Sequence, residues 1–94
     1  MAQDRRAVKV RVTGRVQGVY FRGWTREQAE TLGLVGWVRN EYDGSVAALI
    51  AGPRAAVEDM LRLLHEGPLD AKVIEVIVEE ADHDHVPSGF SILH

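Results

Sequence analysis

Gly14-Arg15-Val16-Gln17-Gly18-Val19-Tyr20-Phe21-Arg22 is the stretch around which this sequence is organised. A strand-like run, Ala7 to Thr13, precedes it, and a helix-like run, Gly23 to Leu32, follows it. A strand, a glycine-containing loop and a helix start form a common anion-binding arrangement, because backbone N–H groups of the loop and helix can point toward one ligand. Arg22, where the loop passes into the helix, adds a planar and permanently charged donor group. We therefore predict that this loop holds a phosphoryl group.

The same pattern also fits a plain strand-to-helix turn with a surface arginine. The stretch lacks the lysine and the serine or threonine of a P-loop, and Gly14 and Gly18 without a further glycine do not make a dinucleotide-binding fingerprint. Local pattern alone favours the plain turn, so the choice depends on residues elsewhere in the chain.

The composition indicates one small globular domain, residues 1–94, in which 46% of residues are hydrophobic and 27% are charged. The net charge of −3 lacks the basic excess of a nucleic-acid-binding surface. The chain contains no cysteine, which excludes disulfides, thiolate metal sites and cysteine nucleophiles. It also has no apolar stretch of membrane-span length and no apolar signal core. We expect a cytoplasmic monomer that binds neither nucleic acid nor membrane.

Hydrophobic periodicity predicts the secondary structure. Val8, Val10 and Val12 alternate with polar residues, as in a strand with one buried face. Trp37 is large enough to anchor the core from the second strand. The most regular helical stripe consists of Val57, Met60, Leu61 and Leu64. The predicted elements are strands at 7–13, 34–39, 45–51, 72–80 and 90–93, a helix at 23–32, and a helix between Pro53 and Gly67.

The order β-α-β-β-α-β, plus a short terminal strand, predicts an α+β sandwich of ferredoxin-like type, with two helices on one face of an antiparallel sheet. In this topology strands one and two run parallel with strand three between them, so their C-terminal ends lie at one edge, roughly 9.5 Å apart. The loop that ends in Arg22 leaves strand one at that edge, and Asn40 ends strand two there. Arg22 and Asn40 should therefore face one pocket.

An acyl phosphate suits such a pocket. Its leaving group is a carboxylate with a pKa near 4, which needs no general acid. Its phosphoryl oxygens can take the proton of water, since a phosphate monoester has a second pKa of about 6. The enzyme must then hold the phosphoryl group, stabilise its charge and aim a water. The loop N–H groups and Arg22 could do the first two, and the side-chain carbonyl of Asn40 could orient the water, without a metal or cofactor.

Two long segments resemble the signatures of the acylphosphatase family. Gly14 to Arg22 is similar to the first signature, and Gly36-Trp37-Val38-Arg39-Asn40 with Asp43-Gly44-Ser45-Val46 is similar to the second. The resemblance extends from about Val8 to Leu93 and implies a ferredoxin-like fold and hydrolysis of acyl phosphates to a carboxylate and inorganic phosphate, without a metal or covalent intermediate. It also implies that Arg22 binds phosphate and that Asn40 orients water. The backbone cradle implied for the phosphoryl group comprises Arg15, Val16, Gln17, Gly18, Val19, Tyr20 and Phe21.

Two features of the sequence depart from the usual pattern of the acylphosphatase family. Gly23 is an unfavourable residue just inside a helix. The sequence finishes Ser91-Ile92-Leu93-His94, where the family often has a basic-aromatic ending, and we assign no role to His94.

His83 and His85 suggest a metal site, but a polar exposed loop without metal is the preferred interpretation because no third or fourth ligand is evident.

Two other functions fit the predicted topology. RNA-recognition modules share it, but they stack bases on aromatic residues of the open sheet face, and strands one and three offer none. An anion-sensing domain without turnover would use the same loop and Arg22. Asn40 distinguishes a hydrolase from an anion-sensing domain, because a domain that only binds anions does not need to orient a water molecule.

Overall fold

The computed structural model describes residues 4–82, 84 and 86–94, which form one five-stranded sheet and two main helices. The elements are β1 (Arg5–Arg15), α1 (Phe21–Thr31), β2 (Val35–Asn40), β3 (Val46–Pro53), α2 (Arg54–Glu66), β4 (Lys72–Glu80) and β5 (Phe90–Leu93). The strand order is β4-β1-β3-β2-β5. Neighbouring strands are antiparallel except β5, which runs parallel to β2. The ferredoxin-like sandwich is confirmed, and β5 adds one parallel pair to it.

The core lies between the sheet and the two helices. Val8, Val10 and Val12 alternate into it from β1, each with 3% or less of its surface exposed. From α2 the core receives Val57, Met60 and Leu64, while Leu61 is partly buried against it. The period of two in β1 and the apolar stripe of α2 are therefore confirmed as the two sides of the core.

Element boundaries near the phosphate loop differ from the prediction. β1 extends two residues beyond the predicted run at each end, and α1 begins at Phe21 rather than Gly23. Arg22 consequently lies in the first turn of α1, and the connecting loop shortens to residues 16–20.

The prediction that Trp37 anchors the core is wrong. Gly36 and Val38 are buried on the helix side of β2, and alternation places Trp37 on the opposite, open face. There its ring lies 4.7 Å from the guanidinium carbon of Arg39 and 6.0 Å from Nζ of Lys9. Trp37 therefore packs with cations on the open face instead of lining the core.

Candidate active site

The fold brings Arg22 and Asn40 to one edge of the sheet. Asn40, the last residue of β2, is in register with Val46 of β3, which in turn is in register with Val12 near the end of β1. Arg22 stands in the first turn of the helix that follows β1. The two side chains line the same open cavity of about 260 Å³, although they are 18 positions apart in sequence.

A second open cavity adjoins this site. Gln17, Arg39 and Glu41 contribute to its lining. Three residues line both cavities: Arg22, Asn40 and His94. These three side chains therefore mark the centre of the candidate site.

The loop between β1 and α1 is folded by two left-handed residues, Gly18 (φ 74°) and Tyr20 (φ 66°). Within the described part of the chain, the backbone N–H groups of residues 17–20 donate to no protein acceptor. The N–H groups of the first residues of α1 follow directly in the chain. In the first turn of any helix such N–H groups have no acceptor within the helix. A run of unpaired N–H groups at a helix start can bind an anion.

The seven predicted cradle residues occupy three environments. Arg15 is the final residue of β1, paired with Lys72, and Phe21 is the first residue of α1 with its ring in the core. Val16 is buried and Val19 packs against the core, so these side chains anchor the loop. Gln17, Gly18 and Tyr20 line the cavities, to which Val16 and Phe21 also contribute.

The side chain of Gln17 ties this loop to the turn after Asn40. Its Nε2 donates to the carbonyl oxygen of Glu41 at 2.8 Å and to that of Ser45 at 2.9 Å. The sequence assigned Gln17 only a backbone role. Its side-chain role was missed, because nothing in the sequence shows that the two carbonyls meet at this point.

The same turn is closed by Asp43 and Ser45. Oδ1 of Asp43 accepts hydrogen bonds from the Ser45 hydroxyl at 2.6 Å and from the Ser45 N–H at 2.9 Å. The hydroxyl contact, followed by the N–H contact, lowers the pKa of Asp43 below its ordinary value. The turn is thus fixed at one end by Asp43 and held to the loop by Gln17.

Tyr20 explains the glycine at position 23. The Tyr20 ring lies over Gly23 so closely that a Cβ there would be 2.3 Å from a ring atom. The Tyr20 hydroxyl donates to Glu27 at 2.6 Å, and that hydrogen bond raises the pKa of Tyr20. Gly23 is therefore unfavourable for the helix but allows Tyr20 to lie along the mouth of the cavity.

The guanidinium of Arg22 is partly held by the end of β5. Its Nη1 donates to the carbonyl oxygen of Leu93 at 3.3 Å and lies 3.4 Å from Nδ1 of His94. Nε and Nη2 have no acceptor among the described residues. The sequence assigned no role to His94, and the structure shows that β5 carries its imidazole to Arg22.

Asn40 is exposed, and its side-chain amide makes no hydrogen bond to the described residues.

His83 and His85 lie outside the described residues. Within the described part of the chain, no group of three or more His, Asp or Glu side chains is placed to hold a metal ion. No described helix has the length and apolar character needed to cross a bilayer.

The family model and the three proteins described next share one family name. A sequence model described as Acylphosphatase matches residues 8–92. The chain is 62% identical over 92 residues to a Rhizobium meliloti protein named Acylphosphatase, covering 98% of this chain and 97% of that protein. It also resembles the structure of an acylphosphatase from Coxiella burnetii, with a TM-score of 0.92, 36% identity, and coverage of 99% and 100% of the two chains. A Bacillus subtilis acylphosphatase structure gives a TM-score of 0.90 at 34% identity, over 94% of this chain and 98% of that one.

Proposed function

This chain belongs to the acylphosphatase family, and we propose that it hydrolyses acyl phosphates to a carboxylate and inorganic phosphate. The observation that carries this proposal is the convergence of Arg22 and Asn40 beside a loop whose N–H groups have no acceptor among the described residues.

In the proposed mechanism the phosphoryl group sits on the backbone N–H groups of residues 15–21 and on Arg22. The support is the absence of protein acceptors, within the described residues, for the N–H groups of residues 17–20 and for Nε and Nη2 of Arg22. These donors can bind equatorial phosphoryl oxygens and stabilise their charge in the transition state. Because the donors are fixed before substrate arrives, they need little reorganisation during the reaction.

Asn40 is proposed to orient the attacking water. Its side-chain oxygen can accept one hydrogen of the water and turn a lone pair toward phosphorus. The proton passes to a phosphoryl oxygen, and the P–O bond to the acyl group breaks as the carboxylate leaves. Since a carboxylate is a stable anion near neutral pH, the pocket needs no general acid to assist it.

We propose that one copy of the chain suffices and that residues 1–94 act as a single domain in the cytoplasm. The side chains assigned to the site lie at one edge of a single sheet. The substrate is a small acyl phosphate, and the pocket offers contacts chiefly to its phosphoryl group.

The test is hydrolysis of benzoyl phosphate by purified protein with EDTA present. The proposal predicts rapid release of benzoate and phosphate, and much slower hydrolysis of 4-nitrophenyl phosphate, whose leaving group is more basic. Benzoyl phosphate hydrolysis no faster than in buffer would overturn the proposal. Activity lost in EDTA would overturn the metal-free mechanism.

A further inference from the structure

His94 contacts the proposed phosphate-binding arginine, and we propose that its imidazole is a proton-linked second cation for the phosphoryl group. The inference rests on the proposed function of this pocket. It concerns a residue that the two signature segments do not include.

The position of His94 is set by β5. This strand pairs in parallel with β2 in a register that places Leu93 beside Arg39, so the residue after β5 reaches the edge where β2 ends in Asn40. There Nδ1 of His94 lies 3.4 Å from Nη1 of Arg22, and His94 lines both cavities together with Arg22 and Asn40. A ligand in either cavity would lie next to the imidazole.

Protonation changes what the imidazole can do there. The neutral ring can accept a hydrogen bond from Arg22 through Nδ1, whereas both nitrogens of the protonated ring are donors. An imidazolium therefore loses the hydrogen bond and places a positive charge beside that of Arg22. A bound dianion relieves this repulsion, so anion binding favours the protonated ring. By linkage, protonation strengthens anion binding by the same factor.

Among the described residues, the other charged and titratable groups around the two cavities are arginine, glutamate and tyrosine side chains. They are Arg22 on α1, Arg39 on β2, Glu41 and Tyr42 in the following turn, and Tyr20 in the loop. Arg39 is paired with Glu41 at 2.6 Å. Side chains of arginine, glutamate and tyrosine ordinarily keep one charge state from about pH 5.5 to 8.5, in which histidine titrates.

Sulfate is the appropriate probe, because it remains a dianion over this whole range while inorganic phosphate changes its own charge. We expect sulfate to bind the wild-type protein about fivefold more tightly near pH 5.5 than near pH 8.5, as expected for one added charge near a dianion in a solvated pocket. His94→Asn keeps a side-chain acceptor but cannot be protonated, so its sulfate affinity should not vary with pH. His65→Asn, an exposed change near the end of α2 and outside both cavities, should retain the wild-type pH dependence.

Calorimetry of the wild-type protein in two buffers of different ionisation enthalpy gives a second measurement that needs no variant. Proton uptake on sulfate binding near pH 7 supports the proposal, and binding without proton uptake overturns it. Undiminished pH dependence in His94→Asn, or no sulfate binding at all, also overturns it.

Parallel benzoyl phosphate assays separate this inference from the proposed function. Turnover combined with pH-independent sulfate binding overturns the role of His94 alone. Binding that depends on pH through His94, without turnover, supports that role and contradicts the proposed function.

Discussion

Nε2 of Gln17 lies 2.8 Å from the carbonyl oxygen of Glu41, so the phosphate loop is fastened to the turn that follows the proposed water-orienting residue. The same nitrogen donates to Ser45. This relationship sets the spacing between the two halves of the site, since one half comes from the β1–α1 connection and the other from the β2–β3 connection.

Gln17→Leu should therefore affect both stability and activity. It removes two hydrogen bonds, although each of the two carbonyl oxygens keeps one backbone N–H donor. At about 0.5–1.5 kcal/mol net for each bond, we expect a loss of about 1–3 kcal/mol in the free energy of unfolding. Urea denaturation measures that loss, and we also expect the inhibition constant of phosphate to rise. Gln28→Leu is the matched control. Gln28 lies in α1, and its side chain makes no hydrogen bond to a described residue. A Gln17→Leu protein with normal stability and normal phosphate inhibition would contradict the role of this tie.

Arg22→Ala should sharply reduce turnover. Loss of one well-placed charge-stabilising donor costs about 2.7–4 kcal/mol of barrier, a factor of about 10²–10³ in kcat. Arg22→Lys should restore little, since the planar pair of donors is lost. Arg26→Ala, an exposed arginine on the same helix, serves as the control and should remain active. Normal hydrolysis by Arg22→Ala would show that the phosphoryl group binds elsewhere.

Gly36→Ala should destabilise the fold that positions Asn40. Gly36 has φ 145°, and a Cβ there would lie 1.8 Å from the carbonyl oxygen of Leu49. The backbone of β2 must move away from β3, so we expect a loss of about 2–4 kcal/mol in the free energy of unfolding. At Gly33 the added methyl would meet open space and only the positive φ of 73° opposes it, so Gly33→Ala should cost about 1–2 kcal/mol. Thermal or urea unfolding of the two variants should give this order, and equal losses would contradict the close approach at Gly36.

Asp43 should contribute to stability in a pH-dependent way. Its pKa is lowered in the folded protein by the Ser45 hydroxyl and N–H, so its ionised form stabilises the turn above the ordinary carboxyl value of 3.8. That contribution is lost as pH falls through the lowered pKa. The melting temperature of wild type should exceed that of Asp43→Asn at pH 7, and the difference should shrink as the solution is acidified toward pH 2. A difference that stays constant or grows on acidification would contradict the assignment.

The sequence predicted the meeting of Arg22 and Asn40 because strand order alone decides it. Arg22 lies just after β1, and Asn40 is the last residue of β2. Because these two strands run in the same direction, both residues lie at one edge of the sheet whatever their side-chain conformations. The face occupied by Trp37 was predicted wrongly, because the size of the ring suggested burial while alternation with Gly36 and Val38 points the ring to the open face.

The contacts of Gln17 and His94 could not be predicted in the same way. Nε2 of Gln17 reaches carbonyl oxygens 24 and 28 positions away, and His94 meets Arg22 across 72 positions. Both depend on where side chains lie after the sheet has formed. Gly23 did give a signal, since a glycine that weakens a helix indicates a close neighbour, here the Tyr20 ring.

Asn40→Ala separates catalysis from binding and tests the central claim most directly. Two quantities should be measured on this variant and the wild type: kcat for benzoyl phosphate, and the inhibition constant of inorganic phosphate. If Asn40 orients the water, kcat should fall by about 10²–10³-fold, while phosphate binding changes by less than about threefold. An unchanged kcat, or an equal loss of kcat and phosphate binding, would contradict the account, because Asn40 would then be dispensable or would serve only to bind the phosphoryl group.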